Sequence, residues 1–226
     1  YAYSINEEGI WCNMYGGSEL NTKLINGSNV KLVQVSDYPW DGNVQLTVEA
    51  APKKKAFSLF MRIPEWCQQA TITINGEPWS STLLPDSYVE LNRVWKKGDK
   101  VELNMPMEAV LMESHPLVEE SRNQVAVKRG PLVYCLESID IEGGKRIDDV
   151  LIPTDIKLTP QKITIEGSPI IALEGIAQLA ANPSWEGVLY RPVAEVNQKV
   201  KIKLIPYYAW GNRGKAEMTV WMPVAR

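Results

Sequence analysis

The chain has 226 residues, 45% of them hydrophobic and 23% charged, with a formal net charge of −3 and a pI near 5.4. This composition argues against a nucleic-acid binder, because such proteins present a clustered basic face. The notable basic runs, Lys53–Lys55 and Lys96–Lys97, fall in predicted turns. Nucleic acid is therefore not an expected partner. No apolar run approaches the length of a membrane span, so a membrane is not an expected partner either.

Short segments with an apolar period of two dominate the first half of the chain and predict β-strands. In chain order, these strands are expected at Ile10–Tyr15, Val30–Val35, Val44–Val48, Ala56–Cys67, Thr71–Ile74, Tyr88–Leu91 and Lys100–Met105. We expect the central strand within Ala56–Cys67, where Pro64 should end it because proline donates no ladder hydrogen bond. Phe60 is apolar on the second face of that strand, which predicts that this face is also partly covered.

The second half begins after a polar stretch, His115–Arg122, that carries no periodicity. We therefore expect two domains, residues 1–115 and 116–226. The strands of the second domain are expected at Val125–Val127, Leu132–Leu136, Leu151–Ile152, Ile163–Ile165, Ile170–Leu179, Lys199–Leu204 and Met218–Met222. Ile170–Leu179 fits a helix nearly as well, but Pro169 and Gly175 favour a strand. The charged, Gly-rich stretch Ser138–Asp149 is expected to form a mobile loop.

Regularly spaced short strands are typical of sandwiches and barrels. An immunoglobulin-sized sandwich takes about 100 residues, so the length allows two of them. The expected fold class is therefore all-β, with two consecutive antiparallel β-sandwich domains of jelly-roll or immunoglobulin-like type and almost no helix.

Residues that could carry catalysis or bind a metal are few. The chain has one histidine, His115, which we interpret as a linker residue beside a proline, and three scattered cysteines, Cys12, Cys67 and Cys135. Zinc sites need three or four His, Cys or acidic ligands, and no such spacing occurs, so each cysteine is expected to be a buried thiol. No GxSxG, P-loop or GxGxxG motif is present, and no acidic residue stands in an apolar strand in a way that singles it out as an acid of raised pKa.

Tryptophan is more informative, because the chain has eight and several fall in predicted loops: Trp40, Trp79, Trp185 and Trp210. Flat aromatic faces in loops suit stacking on sugar rings, and they equally suit packing against another domain. Asn212 and Arg213 beside Trp210 would supply hydrogen bonds in either case. The residues predicted to contact carbohydrate or a domain interface are Trp40, Asp41, Trp185, Tyr207, Trp210, Asn212 and Arg213.

Several stretches, specific in combination, point to one family. They are YPWDG at Tyr38–Gly42, MRIPEWC at Met61–Cys67, VWKKGD before VELNMPM at Val101–Met107, VAVKRGPLVYCLE at Val125–Glu137, and IPYYAWGNRG at Ile205–Gly214 followed by MTVWMP. Together they resemble the C-terminal β-sandwich region of glycoside hydrolase family 127, the β-L-arabinofuranosidase-like enzymes of bacteria. The resemblance runs from near Tyr1 to the end of the sequence.

The resemblance implies that the catalytic machinery lies elsewhere. In that family a helical barrel precedes the sandwiches and carries a cysteine nucleophile at a zinc site with a glutamate acid/base. Those motifs are not found here, so no catalytic or metal role carries over to Cys12, Cys67 or Cys135. The first residues, YAYS, look like the tail of the last barrel helix. Zinc is expected in the catalytic domain of the parent enzyme.

Three hypotheses follow for the chain itself. The leading one is an accessory, non-catalytic region that supports the helical-barrel domain of its parent. The second is a pair of carbohydrate-binding modules that contact plant-type oligosaccharides through the loop tryptophans. The third is a scaffold that buttresses the barrel and mediates homodimer formation.

Overall fold

The computed structural model describes residues 1–180, 186–190, 192 and 198–225. In that part of the chain, strands account for 52% of the residues and helical turns for 4%, which confirms the all-β fold class. The chain divides into two compact units, Tyr1–Glu108 and Ala109–Arg226. No helix among the described residues has the length and apolar character needed to cross a membrane.

The first unit is a sandwich of two sheets. Its strands are β1 (Tyr3–Ile5), β2 (Gly9–Cys12), β3 (Ser18–Lys23), β4 (Asn29–Ser36), β5 (Asn43–Ala50), β6 (Phe57–Ile63), β7 (Thr71–Ile74), β8 (Glu77–Pro78), β9 (Ser87–Arg93) and β10 (Lys100–Asn104). One sheet has the order β1-β2-β6-β9 and the other the order β3-β4-β5-β10-β7-β8. The apolar residues of both sheets form one buried core.

The predicted central strand is β6, which pairs with β2 on one side and with β9 on the other. Leu59 and Met61 are fully buried in the core, and the strand ends before Pro64 as expected. The second face is also covered, because the ring of Phe60 stacks on that of Trp11 with 3.9 Å between centroids. An aromatic pair therefore lies on the outer side of this sheet.

Two turns of the six-stranded sheet are joined through Asp99. Asn75 and Gly76 have positive φ, as an Asn-Gly hairpin turn requires. Asn75 Nδ2 donates to Asp99 Oδ1 over 2.9 Å, and the Lys96 N–H donates to Asp99 Oδ2 over 2.8 Å. Burial acts to raise the pKa of Asp99, but these hydrogen bonds outweigh it, so the pKa lies below its ordinary value.

The first unit differs from expectation at two strands, β1 and β3. The stretch YAYS was expected to end a helix, but Tyr3–Ile5 is a strand because it pairs antiparallel with β2, Ser4 opposite Trp11. The strand β3, Ser18–Lys23, was not predicted. It lies at the edge of its sheet and its residues are mostly polar, so it carries no apolar period.

The second unit is one large sheet that closes on itself. Its strands are β11 (Ala109–Met112), β12 (Gln124–Arg129), β13 (Leu132–Ile141), β14 (Val150–Pro153), β15 (Thr159–Ile165), β16 (Ser168–Leu179), β17 (Gln198–Pro206), β18 (Met218–Thr219) and β19 (Met222–Ala225). Hydrogen-bonded neighbours run β12-β19-β14-β16-β17-β13 and return to β12. All these pairings are antiparallel except that of β14 with β19. The closed sheet surrounds a core of its own.

Several boundaries in the second unit differ from those expected. The unit begins at Ala109 rather than at residue 116, because β11 pairs with β12. Part of the expected loop Ser138–Asp149 is strand, since β13 continues to Ile141. The strand preferred for Ile170–Leu179 is confirmed within β16. The expected last strand, Met218–Met222, is instead two short strands, β18 and β19, with different partners.

Candidate functional site

The segment Ile205–Gly214 leaves the sheet at the end of β17. The ladder ends at Pro206, which has no N–H to donate, and a single 3₁₀ turn, Tyr207–Ala209, follows. Ile205 and Ala209 are buried and pack with Cys135 in a small second cluster. Cys135 alternates with core residues along β13, so this cluster lies on the outer face of that strand.

The aromatic residues of the same segment stay at the surface of the second unit. Tyr207, Tyr208 and Trp210 are 46%, 52% and 43% exposed. The rings of Tyr207 and Trp210 lie 6.3 Å apart between centroids and are tilted by 35°. Two large aromatic rings thus sit side by side on one short turn, with polar tips available for hydrogen bonds.

Arg213 fixes the base of this segment to β13. Its Nη1 donates to Asp140 Oδ1 over 3.0 Å, and its Nη2 donates to both Glu137 and Asp140. The backbone N–H of Gly211 donates to Glu137 Oε1 over 3.1 Å, and Asn212 Nδ2 donates to Ala209 O over 3.2 Å. The segment is therefore held by several bonds to a rigid strand rather than left as a free loop.

The ion triplet is largely removed from solvent. The side chains of Glu137 and Asp140 are 1% and 5% exposed, and that of Arg213 is 21% exposed. Hydrogen bonding to Asp140 and Glu137 raises the pKa of the Arg213 guanidinium above its usual value. One cation holds both carboxylates, whereas a glycosidase carboxylate pair faces across an open sugar site. The arrangement suits positioning rather than acid/base chemistry.

The structure brings together four of the predicted site residues: Tyr207, Trp210, Asn212 and Arg213. Trp40 and Asp41 belong to the first unit, in the turn Asp37–Gly42, where Trp40 is 41% exposed and Asp41 Oδ1 accepts the N–H of Asn43 over 2.6 Å. Trp185 lies outside the described residues.

Sequence reasoning missed Glu137 and Asp140. Glu137 directly follows an apolar run in β13, Tyr134, Cys135 and Leu136. A carboxylate at the end of such a run was the available signal. Asp140 carried none, since it fell in a stretch expected to be a loop.

The cysteines are free and buried, as expected. Burial raises the pKa of the Cys12 and Cys135 thiols to about 12, so neither is a ready nucleophile. Within the described ranges, no three His, Cys, Asp or Glu side chains lie together as metal ligands would. The described residues therefore offer no ligand set for a zinc centre of the kind that the resemblance implies for the family's catalytic domain.

Comparisons with known proteins agree with this picture. Residues 9–107 match the family described as "Beta-L-arabinofuranosidase, GH127 middle domain", and residues 109–223 match "Glycoside hydrolase family 127 C-terminal domain". A non-reducing end β-L-arabinofuranosidase of Bifidobacterium longum subsp. longum is 32% identical over 202 residues, which is 86% of this chain and 30% of that protein.

Solved structures show the same relationship. A protein described as a glycoside hydrolase is 61% identical with a TM-score of 0.94, and the match covers 100% of this chain and 37% of that one. A GH127 β-L-arabinofuranosidase from Geobacillus stearothermophilus T6 is 38% identical with a TM-score of 0.89, and the match covers 100% of this chain and 35% of that one. The chain thus spans about a third of the length of these relatives. It belongs to glycoside hydrolase family 127, whose middle and C-terminal domains it carries.

Proposed function

We propose that this chain is the accessory, non-catalytic region of a family 127 glycoside hydrolase. Its proposed partner is a helical-barrel domain of the same parent protein, which would hold the catalytic cysteine and the zinc ion. The proposed substrates of the parent are β-L-arabinofuranosides, the class named for the Bifidobacterium and Geobacillus relatives.

One observation supports a role in docking the helical-barrel domain. The segment Ile205–Gly214 exposes the rings of Tyr207 and Trp210 while Arg213 fixes its base to two buried carboxylates. Tyrosine, tryptophan and arginine are the residues that dominate interface energies. A pre-organised segment also loses little conformational entropy on binding, which favours association. Both properties support a contact surface for a neighbouring domain.

The test uses the whole parent enzyme with Trp210→Ala. We expect a lower melting temperature or weaker packing of the barrel on this region, with the Michaelis constant nearly unchanged. Val110→Ala is the control, because Val110 is 45% exposed in the same unit but lies in β11 rather than in the aromatic segment. A raised Michaelis constant with an unchanged melting temperature would contradict the docking role.

That contrary result would favour the second candidate function, carbohydrate binding through the same rings. Tyr207 and Trp210 present neighbouring faces on which a sugar could stack, with Asn212 beside them. The two candidates also differ for the isolated chain, since a binding module should retain affinity for oligosaccharides through this segment and a docking surface should not.

A further inference from the structure

An open groove of about 650 Å³ lies on the outer face of the six-stranded sheet in the first unit. Its floor crosses β7, β10, β5 and β4 and consists of two rows of residues. Within each row, neighbouring residues are cross-strand partners. One row is Thr73, Glu102, Gln45 and Val35, and the other is Thr71, Asn104 and Asn43. Three inter-strand spacings give the groove a span of about 14 Å. Such a span suits an extended ligand.

The floor carries hydrogen-bonding groups that are only half used. Asn104 Nδ2 donates to Asn43 Oδ1 over 2.6 Å, and Thr73 Oγ1 donates to Glu102 Oε2 over 3.0 Å. These bonds orient the side chains and leave the second polar atom of each amide and Glu102 Oε1 facing no partner among the described residues. Gln45 lies between these two pairs, and neither the donor nor the acceptor of its side-chain amide forms a hydrogen bond with a described residue.

One wall of the groove is the turn Asp37–Gly42, and its geometry is fixed. Ser36 Oγ accepts the N–H of Tyr38 over 3.1 Å and donates to Asn43 O over 2.7 Å. Gly42 lies so close to the next strand that a Cβ there would come within 1.8 Å of Met105 O. The wall of the groove is thus pre-formed.

The charged groups that line the groove indicate which kind of ligand it can bind. The lining includes the carboxylates of Asp37, Asp41 and Glu102, and none of the described lining residues is Lys or Arg. An anionic ligand would be repelled by these carboxylates. The amides both donate and accept, which matches a hydroxyl group, whereas ammonium and guanidinium groups only donate.

We propose that this groove binds a neutral oligosaccharide, with Gln45 and Glu102 as its central contacts. The binding site is separate from the aromatic segment of the second unit and does not depend on the proposed docking role. Asp41, one of the residues predicted from sequence to contact carbohydrate or a domain, would contribute from the wall.

The test is a titration of the isotope-labelled 226-residue chain followed by NMR, with three neutral probes: arabinopentaose, xylopentaose and a galactose pentamer. We expect at least one of them to shift the amide signals of β5 and β10, while oligogalacturonate of the same length does not. Gln45→Ala should weaken that binding about fivefold or more, the effect of losing one net hydrogen bond.

Thr47→Ala is the matched control, because Thr47 lies two residues further along β5 on the same outer face but outside the groove lining. It should leave the affinity unchanged, and melting temperatures should confirm that both variants fold. Three results would overturn the proposal: no shifts with any neutral probe, equal weakening by both variants, or groove binding confined to a lysine-rich peptide. None of these results bears on the docking of the parent's barrel, which the Trp210 variant tests.

Discussion

Arg213 Nη1 lies 3.0 Å from Asp140 Oδ1, although the two residues are 73 positions apart in the chain. The same guanidinium also bonds Glu137, so one cation joins the aromatic segment to β13. Two nearly buried carboxylates thus share one guanidinium as their cationic partner. Removing that partner should cost far more than breaking an exposed ion pair, because an uncompensated buried charge is strongly unfavourable.

We therefore expect Arg213→Met to lower the free energy of unfolding of the second unit by about 3–5 kcal/mol, measured by urea denaturation. Adding Glu137→Gln and Asp140→Asn should restore much of the loss. The control is Lys201→Met, which breaks the more exposed pair with Glu174 and should cost at most about 1 kcal/mol. Equal effects of the two single variants would show that the triplet contributes little.

The core prediction concerns one residue from each unit. Leu59 and Ile202 are 0% and 1% exposed, so replacing either by Ala should cost about 2–5 kcal/mol through lost burial and the cavity left behind. Val35→Ala and Ile176→Ala are the matched controls, because these side chains are 62% and 51% exposed. A core variant that unfolds at the same denaturant concentration as its control would contradict the strand register described for that unit.

Asp99 should make the first unit sensitive to acid. Its pKa is lower in the folded chain than its ordinary value, so its contribution to stability is complete above about pH 4. That contribution is lost as the pH falls through the lower, folded value, where protonation breaks the bonds from Asn75 and Lys96. Asp99→Asn should lower stability at neutral pH and flatten its acid dependence, as followed by thermal unfolding between about pH 2 and 7. An unchanged acid slope in the variant would rule out this role.

The isolated chain is expected to hydrolyse no arabinofuranoside and to need no metal. The reason is the lack of a metal-ligand group among the described residues and the burial of each thiol. The measurement is release of nitrophenol from a nitrophenyl β-L-arabinofuranoside by purified protein. Turnover that a chelator abolishes would place the catalytic centre in this chain and refute the accessory role.

Sequence patterns predicted the strands with alternating apolar residues, because those residues themselves form the buried face. The alternation in β6 predicted its buried face, and Pro64 predicted where it ends. The unusual aromatic content of Ile205–Gly214 identified four residues that lie together. The strand β3 escaped because an edge strand needs no apolar period. Asp140 escaped because its role depends on a tertiary contact with Arg213, which no local pattern encodes, whereas Glu137 ends an apolar run in β13 that could have indicated it.

The closed ring of the second unit has a consequence for how the chain is made. Its last member, β19 at Met222–Ala225, fills the place between β12 and β14. On the ribosome, those two strands emerge well before β19 and would expose unpaired edges until it arrives, a hazard for association with other chains. The first unit contains all of its own strands by Asn104 and can complete its sheets earlier. Deletion of a few residues around β19 should therefore leave the first unit folded. The second unit should keep unpaired strand edges and need chaperones to prevent its association with other chains.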